Sequence, residues 1–182
     1  MTGPRVVIDA CVLYPTVMRE MVLGAAGAGL FRARWSARLL EEWARAAARH
    51  GPAQEAQARG EIALVRSRFP DAEIPVPEGL ARRLWLPDPA DIHVLAAAIA
   101  GSADLILTLN AKDFPRQVLA EEGVARDDPD HFLLELCEAN PDEMQAVAEA
   151  VLAEAQRLSD PNWTLRALLK KARLPRLAKR LG

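Results

Sequence analysis

The sequence predicts an α/β domain with a mostly parallel sheet, followed by a helical extension. Three observations carry this reading. Two short apolar runs, Val6–Ile8 and Leu105–Leu107 with Thr108 behind it, have the character of strands buried on both faces. Helical patterns lie between and after them, the order expected of parallel crossovers. From Asn140 onward the pattern is entirely helical.

Val6, Val7 and Ile8 end at Asp9, and Tyr14-Pro15-Thr16 then marks a loop. Val17, Met21, Val22 and Ala25 recur at helical spacing between Thr16 and Leu30, and the glycines at 24, 27 and 29 weaken and then end that helix. Ser36 is an N-cap candidate. Behind it Leu39, Leu40, Trp43, Ala46 and Ala47 form an apolar stripe, which predicts a helix over 37–49. Gly51-Pro52 breaks it, and a second helix is expected over 53–67. Phe69-Pro70 ends that one, and a short strand is expected at Glu73–Val76. Pro87-Asp88-Pro89 leads into an alanine-rich helix over 90–100, closed by Gly101. The strand 105–108 follows, then a weak third strand at 123–125. Asn140-Pro141-Asp142-Glu143 is a helix start, with a cap residue, proline at N1 and acids in the first turn. Asp160-Pro161 is expected to start another. The resulting division is residues 1–137 as the α/β domain and 138–182 as the helical extension.

At 182 residues and 51% hydrophobic, the chain can bury a core and is not of disordered composition. No apolar run approaches the about 20 residues needed to span a bilayer, so no membrane is expected as a partner. The first apolar run is too short for a signal peptide, and two cysteines, Cys11 and Cys137, do not make a disulfide framework. A cytoplasmic location is the default expectation. The net charge of −2 hides an asymmetry. Residues 161–182 hold seven cations (Arg166, Lys170, Lys171, Arg173, Arg176, Lys179, Arg180) and no acid, so the other 160 residues carry −9. Such a tail suits a polyanion or an acidic partner, or is simply a solvated helix end.

Open parallel sheets bind ligands beyond the carboxyl ends of their strands. Asp9 directly follows the first strand. Thr108, Asn110 and Asp113 follow the second, and Asp88 and Asp91 stand at the start of the helix before it. Glu41 and Glu42 lie on different faces of helix 37–49. Each has a structural alternative. Asp91 suits a helix N-terminus, Asn110 and Asp113 suit an Asx turn, Thr108 suits a strand end, and His93 suits packing or a local hydrogen bond. Together the acids repel one another unless a cation joins them, and an all-oxygen set favours Mg²⁺ or Mn²⁺ over Zn²⁺. Such ions suit phosphodiester hydrolysis. No GxSxG, GxxxxGK[ST] or GxGxxG motif occurs. A metal-dependent phosphatase would want a second acid two residues after the first, where Cys11 stands.

Four segments resemble PIN domains: Val6–Pro15, Leu39-Leu40-Glu41-Glu42-Trp43, Leu86–Ala98 and Leu107–Pro115. The similarity covers roughly residues 4–137, and the nearest subgroup is the bacterial toxin–antitoxin-like (VapC-related) one. The resemblance implies a Rossmann-like α/β/α sandwich and an acidic pocket that binds Mg²⁺ or Mn²⁺ and cuts RNA. Carried over by motif, the catalytic and metal-binding acids are Asp9, Glu42, Asp91 and Asp113. Glu42 is taken over Glu41 because it directly precedes Trp43. Asn110 falls where many members carry an acid, and Cys11 where Asn or Ser is common. Thr108 and Asn110 are supporting candidates, and Arg19, Lys112 and Arg116 are candidates for holding RNA. A homodimer and a small antitoxin partner are also implied. The alternative is a PIN fold of weak activity that binds RNA or a partner.

Overall fold

Residues 3–182 are described by the computed structural model, in two units. One comprises Pro4–Tyr14 and Arg32–Asp127; the other comprises residues 3, 15–31 and Asp128–Gly182.

The first unit holds the sheet. Its strands are β1 (Arg5–Ile8), β2 (Arg32–Arg34), β3 (Leu105–Leu107) and β4 (Ala125–Asp127), in the order β2-β1-β3-β4 and parallel throughout. Val6, Val7, Ile8, Ile106 and Leu107 are fully buried, as strands covered on both faces must be. The order places a topological switch between β1 and β3, where Ile8 pairs with Leu107. A crevice beyond the carboxyl ends at that point is where such sheets bind ligands.

The first unit's helices are α1 (Ala10–Leu13), α3 (Ala37–Ala48), α4 (Pro52–Arg68), α5 (Ile92–Ala100) and α6 (Arg116–Glu121); α2 falls in the other unit. Ser36 caps α3 by accepting the Leu39 N–H at 3.1 Å. The apolar stripe buries Leu39, Leu40, Trp43, Ala44 and Ala47, so Ala44 takes the place expected for Ala46. Short 3-10 turns at Leu80–Arg83, Pro89–Asp91 and Ala111–Asp113 lead into later elements.

Two strand expectations are corrected. Residues 73–76 form no strand. Glu73 makes only an isolated bridge to Trp35, with Ile74 N–H donating to the Trp35 carbonyl at 2.8 Å. Pro75 and Pro77 have no N–H with which to continue a ladder. The weak strand expected at 123–125 runs instead over Ala125–Asp127, because Gly123, at φ +71°, is part of the turn before it.

The second unit is helical: α2 (Thr16–Gly27), α7 (Pro129–Ala139), α8 (Pro141–Leu158), α9 (Leu165–Lys171) and α10 (Pro175–Leu181). Gly24 in α2 has a packing reason. A Cβ there would stand 2.6 Å from Val147 Cγ1 of α8, so the glycine that costs helix propensity permits the close approach. Asp160-Pro161 does not start a helix. Asp160 Oδ1 accepts the Asn162 N–H at 2.8 Å in a turn, and α9 begins after Thr164, whose hydroxyl accepts from Ala167 N–H at 3.2 Å. Buried Asp130 of α7 accepts the backbone N–H groups of Arg176 and Leu177, each at 3.0 Å, and so anchors α10. Asp130→Ala is expected to strand these donors and cost about 1–3 kcal/mol. Thermal melting checks this, with protection of the α10 amides in hydrogen exchange lost first.

No helix of the described residues is long and apolar enough to cross a membrane.

Candidate active site

Asp9 leaves β1 at the switch point. Its N–H still donates to the Leu107 carbonyl at 3.0 Å, which ties its position to the ladder. It then caps α1, with Oδ1 accepting the Ala10 N–H at 2.8 Å. Its other oxygen, Oδ2, accepts the Thr108 hydroxyl at 2.8 Å and the Cys11 thiol at 3.4 Å. Thr108 is itself buried and accepts the Asn110 N–H at 3.0 Å, so the loop after β3 fixes the hydroxyl that orients Asp9. Burial pushes the Asp9 pKa up, the three hydrogen bonds pull it down, and the charge of Glu42 adds to the upward push; the net direction is up. Cys11 thus supplies a contact to Asp9. Burial, reinforced by the Asp9 charge, pushes its thiol up to about 12, which favours the neutral thiol over a thiolate.

Asp91 ends the turn Pro89–Asp91 and stands at the N-cap of α5, but its side chain makes no capping bond there. Asp88 caps the 3-10 turn Pro89–Asp91, with Oδ1 accepting the Ala90 N–H at 2.9 Å. Desolvation, then the charges of Asp9, Asp88 and Asp113, raise the Asp91 pKa to about 6, with His93 acting in the opposite direction. Asp9, Asp88 and Asp113 therefore each stand close enough to Asp91 to repel it, and Glu42 acts on Asp9. Among the described residues, no three of these carboxylates bring oxygens within 4.8 Å of one another. They line a common face rather than close a cage.

The two neighbouring glutamates of α3 have separate partners. Glu41 is held by Arg59 of α4 at 2.9 and 3.0 Å and lies 3.6 Å from Arg45. Glu42 turns to His93, with Oε1 2.6 Å from Nε2. Asn110 is exposed and its side chain makes no capping bond. The turn to Asp113 is closed by backbone, with Asp113 N–H donating to the Asn110 carbonyl at 3.0 Å, so there is no Asx turn. Lys112 and Arg116 are exposed on the same segment. Arg19 lies apart in chain position, on α2 of the helical unit. It is 2% exposed, with Nε 3.6 Å from Glu20. Sequence reading placed Asp88 beside Asp91 but left it out of the metal-binding set, and gave His93 no partner. The signal for both was their spacing, three residues before and two after Asp91.

A parallel sheet carrying carboxylates at its switch point defines a class of acidic-site α/β proteins. The family model of the PIN domain matches residues 5–112, and the chain belongs to that family. A protein of Mycobacterium tuberculosis named "Putative ribonuclease VapC50" is 35% identical over 79 residues, which span 43% of this chain and 45% of that protein. The chain thus matches less than half the length of that relative. No solved structure matches it.

Proposed function

We propose that this chain is a metal-dependent ribonuclease that hydrolyses RNA phosphodiester bonds. The observation that carries the reading is the gathering of Asp9, Asp91 and Asp113 at the carboxyl edge of a parallel sheet, with Glu42 acting on Asp9. The donor set fits Mg²⁺ or Mn²⁺. It is all oxygen, it is mutually repelling, and its spread suits ions that keep several waters and take only a few carboxylates. Asp9 and Asp91 would hold the ion, with Glu42 and Asp113 completing the set directly or through water. When bound, the ion lowers the pKa of water and offsets charge on phosphoryl oxygens. The chain's own part is positional. Thr108 and the Ala10 N–H fix both oxygens of Asp9, and the turn set by Asp88 delivers Asp91 to the same face. Exposed Lys112 and Arg116 stand one residue before and three after Asp113, where they can meet the RNA backbone.

The test is cleavage of a mixed RNA pool with Mn²⁺, with Mg²⁺ and with EDTA, beside Asp91→Asn. The expected result is cutting that needs the metal and is lost in the variant. No cutting by folded protein with either metal would instead support a PIN-fold module that binds RNA or a partner.

The name of the Mycobacterium relative supports the ribonuclease reading, and the family resemblance supports a toxin reading, with a small antitoxin as partner, a homodimer as the assembly and the cytoplasm as the location. Expression of the chain alone and together with a candidate small antitoxin protein tests it. Relief of growth arrest is the expected outcome.

The basic segment adds a second RNA-binding surface in this reading. In α9 and α10, Leu168, Leu169, Leu174, Leu177 and Ala178 are buried, while Arg166, Lys170, Arg173, Lys179 and Arg180 are exposed. Deleting the segment would uncover that apolar face, so substitution is the cleaner probe. Changing these five cations to Gln is expected to weaken RNA binding at low salt. It should also flatten the plot of log affinity against log salt by about 0.7 for each phosphate the variant no longer neutralises. An unchanged slope rules this surface out.

A further inference from the structure

We propose that His93 is a positioning residue that holds Glu42 at the acidic face and so fixes Glu42 relative to Asp91. The inference rests on the metal-dependent reading above.

His93 sits in the first turn of α5, two residues after Asp91, and only 9% of its side chain is exposed. Its Nε2 lies 2.6 Å from Oε1 of Glu42, across from α5 on α3. An approach that close between a ring nitrogen and a carboxylate oxygen is attractive only with a proton on the nitrogen. Neither ring nitrogen makes a well-directed hydrogen bond among the described residues. A packing role alone would be met better by leucine or methionine, which strand no polar atom. The imidazole is therefore explained by what it faces, and what it faces is Glu42. Because Asp91 and His93 share one turn, the pairing links the α5 end that presents Asp91 to the α3 face that presents Glu42. Glu41, one residue away, is engaged instead by Arg59 and does not compete for the ring.

The effect should appear in metal binding itself. Residues that orient metal-ligating side chains typically change affinity by about 10- to 100-fold. The experiment is calorimetric titration of the full chain with Mn²⁺ in wild type, His93→Leu, His93→Gln, Glu42→Gln and the His93→Leu/Glu42→Gln double variant, with melting curves for each. The expected result is roughly tenfold weaker Mn²⁺ binding in folded His93→Leu and partial recovery in His93→Gln, which restores a donor. The double variant should bind no more weakly than Glu42→Gln, since the two act as one unit. Wild-type affinity in His93→Leu, or effects that simply add in the double variant, would overturn the positioning role and leave the nuclease reading intact. Absence of Mn²⁺ binding by the wild type would overturn both.

Discussion

Asp9→Asn is expected to lower metal-dependent RNA cleavage by about a hundredfold or more, the scale on which removal of one preorganised electrostatic group acts, while the fold is kept. Asparagine has nearly the same shape, and its one carbonyl oxygen can accept the Thr108 hydroxyl and hold the loop after β3, while its NH2 gives up the bond from the Ala10 N–H. What disappears is a buried charge. Its burial and its repulsion with Glu42 disfavour the ionised form in the folded state. The weaker hydrogen bonds and the relieved repulsion nearly offset, so the melting temperature should stay within a few degrees. The variant carries a second readout. Asp9 is the largest of the charges raising Asp91, so Asp91 should titrate lower in the variant than its value of about 6 in the wild type. Initial rates on an RNA pool with Mn²⁺, melting curves, and carboxylate NMR titration check the three parts. A wild-type rate would place the chemistry elsewhere. Loss of fold together with activity would make Asp9 a structural cap for α1.

The parts of this molecule legible in the sequence are those whose cause is local. Val6–Ile8 and Leu105–Leu107 announce buried strands because nothing in them could face water. Ser36 announces α3 because its cap bond closes three residues away. Strand β2 was illegible for the opposite reason. Arg32-Ala33-Arg34 has one buried side chain, and only its pairing with β1 at the sheet edge makes it a strand. The membership of residues 15–31 in the helical unit is likewise invisible. Gly24 looks like a defect in α2 until Val147, 123 positions later, is seen against it. In the candidate site, Asp9 and Asp113 drew attention in the sequence because each follows a strand end, and Asp91 because it opens the helix before the second strand. The choice between Glu41 and Glu42 by local pattern had no physical basis in the sequence. It acquires one from Arg59 and His93, which lie on other helices and draw the two carboxylates apart. The same holds for Asp88, whose bond to the Ala90 N–H shapes the turn that ends at Asp91.

The second large expectation is a pH-dependent cost of keeping Asp91 in the metal-free fold, set by its desolvation and by the charges of Asp9, Asp88 and Asp113. Its folded pKa of about 6 lies above the ordinary 3.8, so between those values the folded state binds more protons than the unfolded one. Stability from this group is therefore present below about pH 4 and is lost as the pH rises through about 6. The side chain is partly solvated, and after screening the cost at pH 7 is about 1 kcal/mol. Asp91→Asn lacks the charge, so it should melt a few degrees above metal-free wild type at pH 7 and match it near pH 4. Saturating Mn²⁺ should reverse the order at pH 7. At about a hundredfold excess over Kd it contributes about 2.7 kcal/mol to the wild type, and little to the variant that has lost a ligand. The metal effect should shrink at pH 4.5, where protons occupy the carboxylates. Melting curves of both proteins at the two pH values, with and without Mn²⁺, give all the comparisons. A variant that gains the same stability at every pH would show that another group carries the repulsion. Equal stabilisation of variant and wild type by Mn²⁺ would remove Asp91 from the ion's ligand set.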